Sequence, residues 1–422
     1  MTIPALIPRP TPRQLAWQRA GLGMFCHFGA NTFHDREWSD GSLPAESFMP
    51  SALDAGAWVR SAVDAGMRYL VLTAKHHDGF CLWPTETTDY SVRSSPWRGG
   101  RGDVVQEVAS ACAAAGIGFG LYLSPWDRNA PCYSDPRAYD DFYVRQLTEL
   151  CTRYGELFEV WFDGAGSEGR TYDWDRIMGV VEEYQPNAMV FNMGRPSIRW
   201  IGNEDGLAAD PVWYVVDSTE GNTSGARSDW LAGYLPPECD VPIRSNWFWQ
   251  TDDRYSLKSL RHLLAIYYRS IGLGAGLLLN VPPDRRGLLD DADAERLAEF
   301  GKAIAESFAE PTPAVLDQLE PGLVRARFDR PVSIDHLELI EDLTDGQRIS
   351  THRIMLDREE IVAGQTVGIR RLHAFGQRTA GELMVRLTGE SPRLSAVNGY
   401  RTGRTRIPEL EPQPERQPGK VR

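Results

Sequence analysis

Apolar and polar positions follow two regimes along this chain. Up to about residue 305, short continuous apolar runs alternate with longer stretches of helical period. The runs are Gly21–Gly29, Arg68–Lys75, Gly118–Ser124, Leu157–Gly164, Ala188–Asn192, Trp213–Val216, Val241–Asn246 and Gly276–Val281. Most are rich in β-branched and aromatic residues without strict alternation, so they read as strands buried on both faces. Between them, Ala52–Gly66, Val104–Ala115, Ala138–Tyr154, Trp174–Tyr184, Tyr255–Ile271 and Leu289–Ala305 carry apolar residues at helical spacing. Trp58, Val59, Ala62 and Val63 share one such face, and Gly66 and Gly116 act as stops. Eight strands with interposed helices over roughly 300 residues predict a (β/α)8-like barrel. It should be irregular between the fifth and seventh strands, where the helices are weak. Pro8–Trp17 reads as an irregular lead-in.

The second regime begins around Ala309–Gly322, which is rich in proline and polar residues. Short period-two segments follow at Leu323–Phe328, Val332–Leu339, Ser350–Leu356, Val367–Leu372 and Glu382–Leu387, the signature of a small C-terminal β-sandwich. The expected organisation is a barrel over residues 1–310, a β-sandwich over 311–404, and a disordered tail over 405–422. That tail holds Pro, Glu and Arg without apolar period.

Composition narrows the function without naming it. The 422 residues are 42% hydrophobic and 24% charged, as in ordinary globular proteins. A net charge of −13 argues against nucleic acid as a partner, and no apolar run reaches membrane-spanning length. The N-terminus lacks an apolar core behind a basic start, so cytoplasm is the expected compartment. The six cysteines show no CxxC or other paired spacing and read as buried free thiols. Thirteen tryptophans is a high count; such flat aromatic planes suit sugar-binding clefts, although tryptophan also fills large cores.

The candidate chemistry sits at strand ends. In a barrel of parallel strands the active site lies at the carboxyl ends. His27 closes the first strand, His76 and His77 the second, Asp163 the fourth and Asn192 the fifth, with Tyr122 and Trp126 at the end of the third. Three histidines at consecutive strand ends exceed what a scaffold needs. A metal centre would use such residues, but no His-x-His lies on one strand face. Adjacent His76 and His77 would point apart unless the chain left the pleat. Neither metal nor cofactor is therefore implied.

Sugar chemistry fits the inventory better. Glycoside hydrolysis needs two carboxylates about the scissile bond. Asp163 supplies one. For the second, Glu204 in the Gly-flanked loop Arg199–Gly206, beside Trp200, competes with Glu37, Asp205, Glu220 and Glu238. Glu159 shares the inward face of the Asp163 strand but lies about 13 Å deeper at ~3.3 Å per residue, too far to serve the same bond.

Several ordered motifs then carry a resemblance. They are Gly23–Gly29 (Gly-Met-Phe-Cys-His-Phe-Gly), Glu37-Trp38-Ser39 and Thr73–Trp83 with its His-His-Asp-Gly. Leu121–Arg128, Val160–Gly164 and Leu277–Gly287 follow, and Glu341–Arg348 extends the match into the sandwich. In these the chain resembles the α-L-fucosidases of glycoside hydrolase family 29. The resemblance implies a retaining, exo-acting α-L-fucosidase with Asp163 as nucleophile, acting on a fucosylated oligosaccharide or glycan without cofactor. It implies fucose-hydroxyl partners at His27, Glu37, Trp38, His76 and His77, with Tyr122 near the nucleophile and Trp249 as an apolar wall for the sugar methyl. The stretches Ser124–Arg128, containing Trp126, and Trp200–Gly206 resemble the branch specific for α-1,3/1,4-linked fucose, in which Glu204 would be the acid/base. A fucosidase of broader linkage range, or a fucose-binding lectin-like protein without turnover, is the alternative.

Overall fold

A computed structural model describes residues 8–216 and 233–414. Eight parallel strands form the barrel: β1 (Leu22–Cys26), β2 (Tyr69–Lys75), β3 (Gly118–Leu123), β4 (Glu159–Trp161), β5 (Met189–Phe191), β6 (Arg199–Trp200), β7 (Pro237–Pro242) and β8 (Gly276–Asn280). Their order is β5-β4-β3-β2-β1-β8-β7-β6, every neighbour parallel. The ring closes through a parallel bridge between Phe191 and Ile198, where Ile198 N–H donates to the Val190 carbonyl at 3.2 Å.

Helices cover the outside where the sequence asks for them. Ala55–Asp64, Val104–Ala115, Pro136–Arg153 and Trp174–Tyr184 follow β1 to β4. Asp54, Asp103, Asp135 and Asp173 each cap one with a side-chain oxygen, satisfying N–H groups that a helix start leaves unpaired. Leu260–Arg269 and Asp291–Phe308 complete the layer. Inside the barrel the filling is aromatic: Phe25, Tyr69, Tyr122, Trp161 and Phe191 are buried, with Trp161 and Phe191 stacked at 3.8 Å. Gly23 is required there, since a Cβ would sit 2.4 Å from the Tyr69 ring. Among the described residues no helix is long and apolar enough to cross a membrane.

Four expectations change. The lead-in is a helix, Pro12–Ala20, begun by a reciprocal cap between Thr11 and Gln14 with Pro12 at its first turn. It stoppers the barrel bottom: Trp17 is buried and its indole donates to Glu159 at 3.0 Å. Trp213–Val216 is not the sixth barrel strand, because Val215–Val216 pairs antiparallel with Gly233–Tyr234 outside the ring. The sixth position belongs to Arg199–Trp200, a two-residue strand with no helix before it. The seventh strand begins four residues earlier than expected, which turns Glu238 and Asp240 into the barrel.

The C-terminal part is a seven-stranded antiparallel sheet closing over its own core of Val324, Ile334, Leu337, Ile354, Leu383 and Val385. Two long strands, Leu323–Glu341 and Arg371–Gly389, form its spine, and their register shifts at Arg327/Val332 and Ile334/His336. Residues 405–414, expected as disordered tail, lie along the helix Leu260–Arg269, where Arg269 donates to the Pro408 carbonyl at 2.8 Å. Residues 415–422 lie outside the described residues.

Candidate active site

The carboxyl ends of the strands open onto a cavity with about 500 Å³ of empty space, its mouth included. His27, His76, His77, Tyr122, Asp163, Trp200 and Glu204 line it, together with Trp38 from the loop after β1. Asn192, Asp240 and Trp247 complete the wall. His76 and His77 converge because β2 ends at Lys75 and its register with β3 shifts between Thr73 and Lys75. The chain leaves the pleat, and the two rings lie 4.1 Å apart. Lys75 itself points outward, its ammonium buried on Asp127 and Gln146 at 2.9 Å each. That pair pins the loop after β3, where Asp127 also accepts the N–H groups of Asn129 and Ala130.

Asp163 is the carboxylate this frame presents. Tyr122 O–H donates to its Oδ2 at 2.9 Å, and the N–H of Ala165 donates to its Oδ1 at 2.9 Å. His77 Nε2 stands 3.5 Å from Oδ2, and the side chain keeps 21% exposure toward the cavity. Burial, reinforced by the Asp163 charge, raises the Tyr122 phenol, so it remains a donor.

The histidines are set up as acceptors. Ser124 gives its hydroxyl proton to the Trp126 carbonyl at 2.6 Å, so its oxygen accepts from His77 Nδ1 at 2.7 Å. Asn280 donates through Nδ2 to the Trp247 carbonyl at 2.8 Å, which turns its Oδ1 to His27 Nδ1 at 3.0 Å. In both rings the proton therefore sits on Nδ1 and Nε2 keeps a lone pair able to accept a hydroxyl proton. Burial lowers all three histidines, His27 to about 3, and keeps them neutral.

Some expected residues sit elsewhere. Glu37 does not line the cavity; its carboxylate accepts the N–H groups of Trp247 at 2.8 and 3.0 Å and of Phe248 at 3.2 Å. Trp249 is turned to Asp290, its indole 3.4 Å from Oδ2, and the aromatic wall is Trp247, two residues earlier. Trp126 stands at the rim with its ring 5.1 Å from His77 and 5.5 Å from Trp38. Of the other carboxylates weighed against Glu204, Glu238 lies deep in the barrel beneath the Tyr69 hydroxyl at 2.9 Å and the Trp161 indole at 3.0 Å. Asp205 lines an adjoining cavity, and Glu220 lies outside the described residues. Glu159 is buried at the barrel bottom, and burial with the Glu238 charge raises its carboxyl well above the ordinary range.

Asp240 was not anticipated. It lines the cavity at 2% exposure and accepts the Trp200 indole N–H at 2.6 Å. Burial first, then the charges of Glu238 and Asp163, raise it well above the ordinary carboxylate range. The sequence does hold a signal: with β7 read from Pro237, the period of two places Glu238, Asp240 and Pro242 on one face.

A sugar needs flat apolar faces and partners for its hydroxyls, and both converge here with carboxylates able to act on the bond leaving the ring. That defines a glycoside hydrolase built on a (β/α)8 barrel. Comparison with known proteins is specific. The α-L-fucosidase family profile matches residues 35–306. Alpha-L-fucosidase 1 of Arabidopsis thaliana is 41% identical, over 88% of this chain and 82% of its own length. A glycoside hydrolase 29 family member from an unknown rumen bacterium superposes with TM-score 0.85 at 33% identity, over 96% of this chain and 78% of that one. A Ruminococcus gnavus GH29 fucosidase, solved in complex with fucose, superposes with TM-score 0.82 at 28% identity, over 95% of this chain and 97% of that one. The chain belongs to the α-L-fucosidases of glycoside hydrolase family 29.

Proposed function

We propose that this α-L-fucosidase is exo-acting and retaining, with Asp163 as nucleophile and Glu204 as acid/base, and that it favours α-1,3/1,4-linked fucose. The observation that carries the mechanism is the presentation of Asp163 by the Tyr122 hydroxyl and the Ala165 N–H at the base of a cavity for one sugar ring. In the first step the Asp163 carboxylate attacks the anomeric carbon as Glu204 gives its proton to the departing glycosidic oxygen. In the second, Glu204 takes a proton from water, whose oxygen displaces the carboxylate. Two inversions leave the configuration unchanged. His27 and His77 accept sugar hydroxyl protons through Nε2, and Trp38 and Trp247 supply aromatic surface. Six free thiols suit a reducing compartment, which we take as the site of action.

Asp163→Ala should lose nearly all turnover, and azide should rescue it by forming the β-L-fucosyl azide; near-normal turnover would refute the assignment. Glu204→Ala should hurt natural disaccharides far more than an aryl fucoside, whose leaving group needs little protonation. On a panel of α-1,2, α-1,3, α-1,4 and α-1,6 fucosides, release should concentrate on the α-1,3 and α-1,4 members. Strong α-1,2 or aryl activity contradicts the linkage reading.

A further inference from the structure

Glu204 lines two cavities. One is the sugar cavity above Asp163; the other, larger, adjoins it with about 1130 Å³ of empty space, open mouth included. The floor of the second comes from the barrel: Asp205 and Leu207 from the loop after β6, with Lys258 and His262 at the start of the helix Leu260–Arg269. Its outer wall is a C-terminal segment, with Leu410, Glu411, Gln413 and Pro414 in the lining.

That segment is fastened down. Arg269 donates to the Pro408 carbonyl at 2.8 Å, and Arg261 pairs with Glu409 at 3.1 Å. Ser259 donates to the Glu411 carboxylate. His262 Nδ1 accepts the Glu411 N–H at 3.0 Å and lies 3.1 Å from Gln413 Nε2. Ile407 packs against the barrel core just before it. Backbone and side-chain bonds together make this a strap with a defined path across the rim.

We infer that the second cavity is the subsite for the sugar that departs, and that the C-terminal strap is its outer wall. The inference rests on Glu204 being the general acid. The acid must reach the glycosidic oxygen, the one atom shared by fucose and the next sugar. With fucose above Asp163 and Glu204 bordering both spaces, the next ring falls into the cavity on the far side of Glu204. The lining suits a neutral pyranose: Leu207, Leu410 and Pro414 offer apolar surface to a C–H face, and Asp205, Glu411 and Gln413 offer partners to hydroxyls. The Lys258 ammonium on the floor is taken up by the Pro242 and Arg244 carbonyls at 2.7 Å each, and the Asp205 and Glu411 carboxylates disfavour an acidic sugar. The strap therefore selects the leaving group, with no part in the bond-breaking itself.

The test is a ratio, kcat/KM on an α-1,3/1,4-fucosylated trisaccharide divided by kcat/KM on an aryl fucoside, in which the concentration of folded enzyme cancels. A chain ended after Pro408, and separately the full chain carrying Leu410→Ser with Gln413→Ala, should each lower this ratio roughly tenfold or more. A ratio unchanged in both overturns the subsite. Failure of the underlying reading looks different: Glu204→Ala in the intact chain would then reduce both substrates equally, refuting the acid assignment and the subsite placed by it.

Discussion

At the scale of single residues, the site depends on which groups keep their protons. Tyr122 holds the Asp163 carboxylate through one charge-assisted hydrogen bond. Tyr122→Phe removes it with little change of shape and should lower kcat about tenfold to a hundredfold, as expected for a bond of ~1.5–3 kcal/mol. A kcat within twofold of wild type would contradict the role. Asp240 tests the electrostatics of the same wall. Its raised value means that, above the ordinary value of 3.8, the unfolded chain releases this proton while the native chain keeps it. The unfolded state then binds fewer protons, so native stability falls as pH rises through that window. Asp240→Asn keeps an acceptor for the Trp200 indole and removes the titration. Its Tm advantage over wild type should grow as pH rises above the ordinary carboxylate value, measured by calorimetry; an advantage independent of pH contradicts the buried neutral acid. Such a gain fits a site that trades stability for chemistry.

At the scale of elements, the strand ends were legible and the loops bracing them were not. His27, His76, His77, Tyr122 and Asp163 could be placed because apolar runs ending in polar residues mark barrel strands. β6 escaped because two residues, one an arginine, carry no period, and the assignment passed to Val215–Val216, which has the right composition for a strand but pairs elsewhere. β7 is read from Val241 because the apolar run begins there, and starting it four residues late leaves Asp240 outside the strand. The helix Pro12–Ala20 was readable, since Thr11 and Gln14 have capping-box spacing with Pro12 between them, but its low amphipathicity masked it. The role of Glu37 could not be read, because its partners lie more than two hundred residues away on the loop after β7. Glu37→Ala frees the Trp247 wall and should raise KM about tenfold, the cost of losing hydrogen bonds to a charged acceptor. Glu37→Gln keeps an acceptor oxygen for those N–H groups and should recover most of the loss. A Gln variant as weak as the Ala variant would contradict the bracing role.

At the scale of the whole molecule, barrel and C-terminal sheet are joined by polar contacts that composition could not reveal. Tyr214 donates to the Gly274 carbonyl at 2.8 Å and accepts from the Ile369 N–H at 2.9 Å, tying the loop before β8 to the C-terminal sheet. Asp210 and Arg371 pair through two bonds of 2.9 and 2.7 Å. Tyr214→Phe leaves the buried Gly274 carbonyl and the half-buried Ile369 N–H without this partner and should cost ~1–3 kcal/mol in denaturant unfolding, with both parts still melting together. Early separation of the two transitions would contradict the coupling. The joint also brings the chain back along the helix Leu260–Arg269, where Leu410, Glu411, Gln413 and Pro414 line the cavity that adjoins the catalytic one. The proposed mechanism turns on one chemical event, a covalent bond between Asp163 and the sugar. The most direct measurement is mass spectrometry of the enzyme treated with a slow-turnover 2-fluoro-fucosyl fluoride. The account predicts one fluorofucosyl unit per chain, on the peptide containing Asp163. A label on Asp240 or Glu204 instead, or turnover of the reagent with no labelled peptide and 2-deoxy-2-fluorofucose of inverted configuration as product, would contradict it.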